Sequence, residues 1–484
     1  MNYRIVLRQL GNLFLIEALL LLPSLGIAVY DGESGVVWAI SGAIIILAVI
    51  ALISRAALRD IDTTFYAREG YLLTVLAWIS LSLFGALPFY FSGHIPSYLD
   101  AFFETVSGFT TTGVSIVKNV EAMPRALLFW RSLTQWLGGM GILVFMLALI
   151  PSSKGNASSM HLLRAESSGP AVAKVTSKTR NHAIILYALY MAMTIICLVF
   201  LLCGGMPVFD TLCITFGIAG TGGFSVRADS LASYSPYLQT VTAVFMLLFG
   251  VSFNLYGLLL LRRFREAFSD EELLTYIGII IASVLIFMVN TAGMFTSFTE
   301  ALHHSFFTAS SIITSTGYVT VDFSEWPQLS HGIIILLTLI GSCAGSTGGG
   351  VKIMRVLLIA KDGARELRRL LHPRAIQQVK VSRRTINGEV LNGVHTYMTM
   401  YVALMIISFL LISVDNFSIE ANIISVIGSL SNNGLGLAEI GPNGNYSGFS
   451  ALSKLVLAFN MLLGRLEIFP ILILLSKRSW NRAG

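Results

Sequence analysis

Charge is scarce in this sequence: Asp, Glu, Lys and Arg make up 12% of its 484 residues, about half the share found in an ordinary soluble domain. So few charged groups cannot clothe a water-facing surface of this length, which excludes a soluble globular or a disordered protein. Cysteine is nearly absent too. Cys197, Cys203, Cys213 and Cys343 lie in apolar segments or beside glycines. They lack the paired spacing of a metal site or a disulfide framework and read as small buried residues. The eight histidines are scattered, and the adjacent His303 and His304 face different sides of a helix, a poor arrangement for a metal. No nucleophile and base are spaced as a pair, so no enzyme is expected. The net charge of +6 comes from basic residues in alternate loops without interleaved aromatics, which argues for membrane topology and against nucleic acid as a partner.

What the chain has instead is apolar length. It is 55% hydrophobic with a mean hydropathy of +0.76, and several runs reach the roughly 20 residues of a spanning helix. The expectation is an all-α polytopic membrane protein with about ten spans and the lipid bilayer as its surroundings. Arg4 and Arg8 precede an apolar run from Leu10 to Tyr30 that is too long, and too poor in small residues at its end, for a cleaved signal peptide. It reads as a retained first span.

One stretch recurs. Ser107 to Val114 reads SGFTTTGV, and AGTGGFSV around Gly223, ITSTGYVT around Gly317 and LSNNGLGL around Gly434 register on it by the glycine. The copies lie about a hundred residues apart, far beyond a solenoid period, so each belongs to a unit of several elements. Glycine tolerates the dihedrals needed to turn a run of carbonyls inward as oxygen ligands, and each copy follows an apolar segment too short to cross a bilayer. Four units of helix, re-entrant half-helix, loop and helix around one axis therefore make a pore, with each half-helix aiming its partly negative C-terminal end at the centre. Close packing of helices through small residues would explain a single copy.

The units order the chain. Residues 1–69 hold a transmembrane hairpin, Leu13 to Val29 and Val36 to Ile53, and a cytoplasmic linker; 70–150 form pore repeat 1; 151–181 form a cytoplasmic loop. Residues 182–272 form repeat 2, and 273–360 repeat 3. A basic cytoplasmic loop spans 361–394, and 395–484 form repeat 4. Returning helices are expected over Ala126 to Ile150, Tyr237 to Leu261, Ser330 to Ala360 and Leu452 to Leu475. The basic clusters all fall on one side, which places both termini in the cytoplasm and the four glycine stretches near the opposite face.

Three further features stand out. Residues 341–350, GSCAGSTGGG, interrupt the third returning segment, because each glycine costs a helix about 1 kcal/mol relative to alanine. The spacing of GSTGGGVK fails as a phosphate loop: Val351 separates Gly350 from Lys352, and no strand precedes it. Arg465 lies within an apolar run, where an arginine marks a functional site or a salt bridge to a neighbouring helix. Arg131 and Gln135, four apart on one helical face, are expected to be structural hydrogen-bonding groups near the glycine stretches.

SGFTTTGVS, AGTGGFS, TSTGY, SNNGLG, FWRSLTQWLGGMGI (Phe129 to Ile142) and MLLGRLEIFP (Met461 to Pro470) together resemble the Trk/Ktr/HKT superfamily of potassium transporters, over essentially the whole chain. The resemblance implies potassium uptake across a bacterial inner membrane, with potassium as substrate and no cofactor bound to this chain. It implies a selectivity filter of Thr110, Thr111, Thr112 and Gly113; Gly220, Thr221, Gly222 and Gly223; Ser315, Thr316 and Gly317; and Asn432, Asn433 and Gly434. Potassium would meet the backbone carbonyls of Thr111, Thr112, Thr221, Gly222, Ser315, Thr316, Asn432 and Asn433. Glycine at all four filter positions goes with potassium in that family, and serine at the first with sodium. Asn432 and Asn433 in place of threonines suggest looser discrimination. By the same resemblance, residues 341–350 are an intramembrane gating loop with Gly345, Gly348, Gly349, Gly350 and Lys352, and Arg465 is an electrostatic barrier below the filter. The partners implied are a second copy of the chain and a cytosolic ring of nucleotide-binding RCK domains, for which the segment from Arg365 to Arg384 is the candidate contact. Its charge is equally explained by topology. The alternative is a sodium- or proton-coupled secondary transporter of a cation or small solute, to which broken helices also suit.

Overall fold

The structure, a computed structural model, describes residues 3–58, 67–141, 179–373, 377–382, 384–436, 440–441 and 444–475. Nearly all of these are helical. Helices α1 (Tyr3–Leu20) and α2 (Leu22–Tyr30) make one apolar span interrupted at Leu21, just before Pro23, and α3 (Ser34–Ala57) returns beside it. Proline supplies no amide donor to the preceding turn, which allows the interruption.

Four units follow. The first is α4 (Ala67–Gly85), α5 (Leu87–Phe91), α6 (Tyr98–Phe109) and α7 (Arg125–Gly139). The second is α8 (Thr179–Cys203), α9 (Val208–Gly220), α10 (Pro236–Gly250), α11 (Phe253–Leu260) and the short α12 (Phe264–Phe268). In the third, α13 (Glu271–Asn290) and α14 (Phe298–Ile313) lead to α15 (Gln328–Ile340) and α16 (Ile353–Leu371). A two-stranded antiparallel ribbon, β1 (Lys380–Val381) and β2 (Arg384–Thr385), precedes the fourth: α17 (Gly388–Ile412), α18 (Ile419–Ser431), α19 (Ala451–Arg465) and α20 (Phe469–Leu475).

The short helices α6, α9, α14 and α18 share a start. Their N-caps are Ser97, Pro207, Ser297 and Ser418, and each carries an acid in its first turn: Asp100, Asp210, Glu300 and Glu420. Ser97, Ser297 and Ser418 accept a backbone N–H from within the first turn. The acids complement the positive N-terminal ends and leave the negative ends free to face the centre.

The returning helices depart from expectation. Six apolar helices among the described residues are long enough to span, and a seventh candidate, α10 with α11, is bent by 87°. The single helices expected over Tyr237 to Leu261 and Leu452 to Leu475 are both broken, at Val251–Ser252 and at Leu466–Ile468. At the second break Glu467 and Ile468 have φ of 55° and 63°, values no right-handed helix accommodates. Arg465 therefore ends α19 rather than lying mid-helix. Helix α7 stops at Gly139, and most of the loop expected over 151–181, with residues 142–150, lies outside the described residues.

Glycines near these ends mark where neighbouring backbone comes close. A Cβ on Gly138 would stand 1.8 Å from Phe109 O, and one on Gly464 would stand 2.2 Å from Leu430 O. Each returning helix thus presses bare backbone against the C-terminal end of its half-helix, an approach only small residues permit.

The segment expected as a loop over 361–394 is largely structured. Helix α16 runs on to Leu371, held by Lys361 donating to Glu271 and by His395 against Asp362 at 2.9 Å. Arg374 and Arg383 lie outside the described residues.

Candidate ion-coordinating ring

Each half-helix ends in the same backbone turn. Thr111, Thr221, Ser315 and Asn432 all occupy the left-handed region, with φ between 51° and 57°. The next residue in each copy closes the turn: Thr112 N donates to Ser107 O (2.9 Å), Gly222 N to Gly217 O (2.8 Å), Thr316 N to Ser311 O (2.9 Å) and Asn433 N to Gly428 O (2.8 Å). Gly113, Gly223 and Gly317 then return to positive φ, at 85°, 72° and 88°. Alternating handedness along a strand turns successive carbonyls towards one side, and the left-handed position that follows favours glycine. Gly434 departs, since its φ lies outside that region.

The four turns meet in cyclic order. A Cβ on Gly113 would stand 1.9 Å from Gly222 O of the second copy, and one on Gly223 would stand 1.9 Å from Thr316 O of the third. A Cβ on Gly317 would stand 3.5 Å from the backbone of Gly434, an ordinary contact, and one on Gly434 would lie 2.7 Å from Thr112 O, back in the first copy. Gly113, Gly223 and Gly434 are thus the spaces into which a neighbour's backbone fits. All four glycines line one open cavity of about 170 Å³.

Polar side chains brace the ring. Ser107 and Ser311 donate to the carbonyls of Val114 and Tyr318, both at 2.6 Å, and the Thr110–Thr112 and Thr314–Thr316 hydroxyl pairs both stand at 2.8 Å. Gln135 on α7 brackets the second copy: its Nε2 donates to Gly222 O at 2.7 Å and its Oε1 accepts from Phe224 N at 3.0 Å. Gly220 ends α9 against Gln135 O, where a Cβ would stand at 2.3 Å. Asn432 Nδ2 donates to Thr112 Oγ1 at 3.0 Å and to Met461 O at 2.8 Å, and Asn433 Nδ2 donates to Ile312 O at 3.1 Å. The asparagines of the fourth copy thus stitch it to the first and third.

Arg131 and Glu104 form a buried pair at 2.6 Å that sequence reasoning only half found. Glu104 also accepts from Ser115 Oγ and Ile116 N, while Arg131 donates to Ser225 O at 3.1 Å and lies 3.5 Å over the Phe224 ring. The pair fixes the segment after Gly113 to the segment after Gly223. Glu104→Ala leaves the guanidinium buried without its counter-charge, and the expected result is a loss of about 3–5 kcal/mol in stability. A melt of the detergent-solubilised protein measures it, and an unchanged midpoint would refute the role.

Directly beneath lies the broken segment 341–352. Gly349 N donates to Ser315 Oγ at 2.5 Å and Gly350 N to Ser431 O at 2.8 Å, so the loop touches the third and fourth copies from below. Gly345 (φ 74°), Gly350 (83°) and Lys352 (79°) are in left-handed conformations. Gly348 and Gly349 serve space instead: a Cβ on Gly349 would stand 1.9 Å from Ser431 O, and one on Gly348 2.9 Å from Thr314 O. Lys352 Nζ donates to Gly348 O, and Glu272 accepts from Ala344 N at 2.6 Å and Met354 N at 3.1 Å. Arg465 joins loop and ring: it donates to Thr111 Oγ1 (3.2 Å), Thr347 O (3.1 Å), Gly139 O (2.8 Å) and Gly138 O. Two residues on, Glu467 pairs with Arg355 of α16, whose guanidinium lies 4.0 Å from the Tyr397 ring centroid.

The family model described as TrkH, cation transport protein, matches residues 37–269 and 272–482. The chain belongs to the TrkH family. It is 34% identical over 492 residues to the Trk system potassium uptake protein TrkH of Salmonella typhimurium, covering 99% of this chain and 100% of that one. The corresponding Escherichia coli K12 protein is 35% identical over 428 residues, 86% of each chain. Among solved structures, the crystal structure of the potassium transporter TrkH from Vibrio parahaemolyticus superposes with a TM-score of 0.89 at 29% identity, covering 99% of this chain and 100% of that one. Within the TrkH fold the signals that sequence reading passed over were the serine and acid that open the half-helices and the second acid of α6, Glu104. Both are visible as polar residues in otherwise apolar runs.

Proposed function

We propose that the protein conducts potassium into the bacterial cell through the ring of Gly113, Gly223, Gly317 and Gly434, from an inner membrane in which both termini face the cytoplasm. The observation that carries this reading is the cyclic closure of four like turns, each at the negative end of a half-helix. Carbonyls held this way replace an ion's water, and four helix ends of about half a negative charge each favour a cation over an anion. The carbonyls of Thr111, Thr112, Thr221, Gly222, Ser315, Thr316, Asn432 and Asn433 are the ligands we assign. Uptake runs down the electrical gradient, worth about 2.3 kcal/mol per charge for each 100 mV.

The loop 341–350, with Lys352 at its end, is the gate in this reading, and Arg465 is the barrier beneath the ring. The protein works as a homodimer, and a cytosolic regulator with nucleotide-binding RCK domains docks on the basic segment from Arg365 to Arg384. Rubidium uptake by liposomes holding the purified protein tests conduction. Uptake that exceeds sodium uptake and follows an imposed potential is expected; uptake stoichiometrically coupled to sodium or protons would favour a secondary transporter. Docking is tested by pull-down with the segment's arginines neutralised, and undiminished capture would remove that assignment.

A further inference from the structure

A carboxyl group stands alone in the first span. Glu17 on α1 is 2% exposed, and neither of its oxygens has a hydrogen-bond partner among the described residues. It borders a small cavity of about 20 Å³, room for about one water, whose other walls are Leu13, Ile16, Leu20, Leu81, Phe109 and Leu137. This cavity lies where α1 meets the first unit. Phe109 is the last residue of α6, directly before the ring turn, and Leu137 precedes Gly138 and Gly139, which accept from Arg465. Across it Gly85 of α4 is bare: a Cβ there would stand 3.0 Å from Glu17 Oε1, Thr105 Cγ2 and Phe109 Cε2 alike.

The ionisable groups on the surrounding elements are engaged elsewhere or lie at helix ends. Arg4 and Arg8 stand in the first turns of α1, Arg55 of α3 donates to Asn12 at 3.2 Å, and Glu69 opens α4. On α6, Asp100 pairs with Lys454 and Glu104 with Arg131; on α7, Arg125 pairs with Asp31. None forms an ion pair with Glu17. A carboxylate with neither donor nor counter-charge is costly in such surroundings, whereas the neutral acid fits them, and an ionisable side chain at this depth marks a functional site by default.

We propose that Glu17 is a proton-binding site that couples pH to the packing of α1 against the first half-helix. Removing the proton places a bare charge in an apolar cavity, so the carboxyl draws in water and the α1 contact with α4, α6 and α7 loosens. The consequence for conduction rests on the pore reading above; the proton site itself does not.

Glu17→Gln keeps the shape of the neutral acid, and Glu17→Leu fills the site with an apolar group. In infrared difference spectra of the full-length protein, the wild type is expected to have a carboxylic-acid C=O band that is missing from both variants. Wild-type melting temperature falls as the pH is raised, and that part of the fall is absent in both. Rubidium uptake in liposomes should depend on pH more steeply in the wild type than in Glu17→Gln. An unchanged infrared band, or melting and uptake profiles that coincide with the wild type's, would overturn the proposal. A wild type that carries no rubidium at any pH would count against the pore reading, while the infrared and melting arms still decide the proton site.

Discussion

Serine at Gly113 is expected to lower the preference for potassium over sodium by about tenfold or more, equivalent to roughly 1.4 kcal/mol for each factor of ten. The new Cβ would begin 1.9 Å from Gly222 O, and Gly113 has a φ of 85° that side-chain-bearing residues rarely adopt. The second copy's carbonyl must swing away, and the ring loses its fit on that side. The copies predict a graded series. Gly223→Ser should match Gly113→Ser, because its Cβ meets Thr316 O at the same distance; Gly434→Ser should be milder, at 2.7 Å from Thr112 O without positive φ; Gly317→Ser meets ordinary contact but has its φ of 88° to overcome. Gly278→Ser on α13, with nothing within 4 Å, is the control. Paired rubidium and sodium uptake measures the series, and a Gly113→Ser protein with wild-type preference would end the assignment of the ring.

Replacing Arg465 with alanine should raise rubidium uptake on the order of tenfold. A unit charge roughly 8 Å from a passing cation repels it by about 2 kcal/mol at an effective dielectric of about 20, and its loss also frees the loop carbonyl of Thr347 and the hydroxyl of Thr111. Arg465→Lys separates the two contributions. Lysine keeps the charge but offers no planar fork for acceptors spread over α7, the loop and the ring. Slow uptake in the lysine variant assigns the barrier to charge, and fast uptake assigns it to the tether. Uptake in Arg465→Ala no faster than wild type would remove the barrier role.

The asparagines bear on a second expectation. Asn432 and Asn433 suggested looser discrimination when read as replacements for threonine. In the structure the backbone turn of their copy keeps the same closing bond, Asn433 N to Gly428 O, and the side chains bond across to Thr112 and Ile312. Threonine's hydroxyl is too short for such a bridge, so the substitution trades a local hydroxyl pair for links between copies.

Composition, hydropathy and the spacing of SGFTTTGV and its copies were enough to determine a polytopic all-helical chain of four like units, because apolar length and the need for glycine at positive φ are local demands written residue by residue. The apolar segments too short to cross that were expected before the four glycine copies are helices of 12, 13, 16 and 13 residues for the same reason. The breaks at Val251–Ser252 and Leu466–Ile468, the end of α19 at Arg465, and the cyclic order of the ring were decided only by the tertiary structure. Each involves what lies opposite a glycine: the Tyr276 hydroxyl against Gly250, Leu430 O against Gly464, Gly222 O against Gly113. A glycine in sequence states only that space is left, and the fold decides what occupies it.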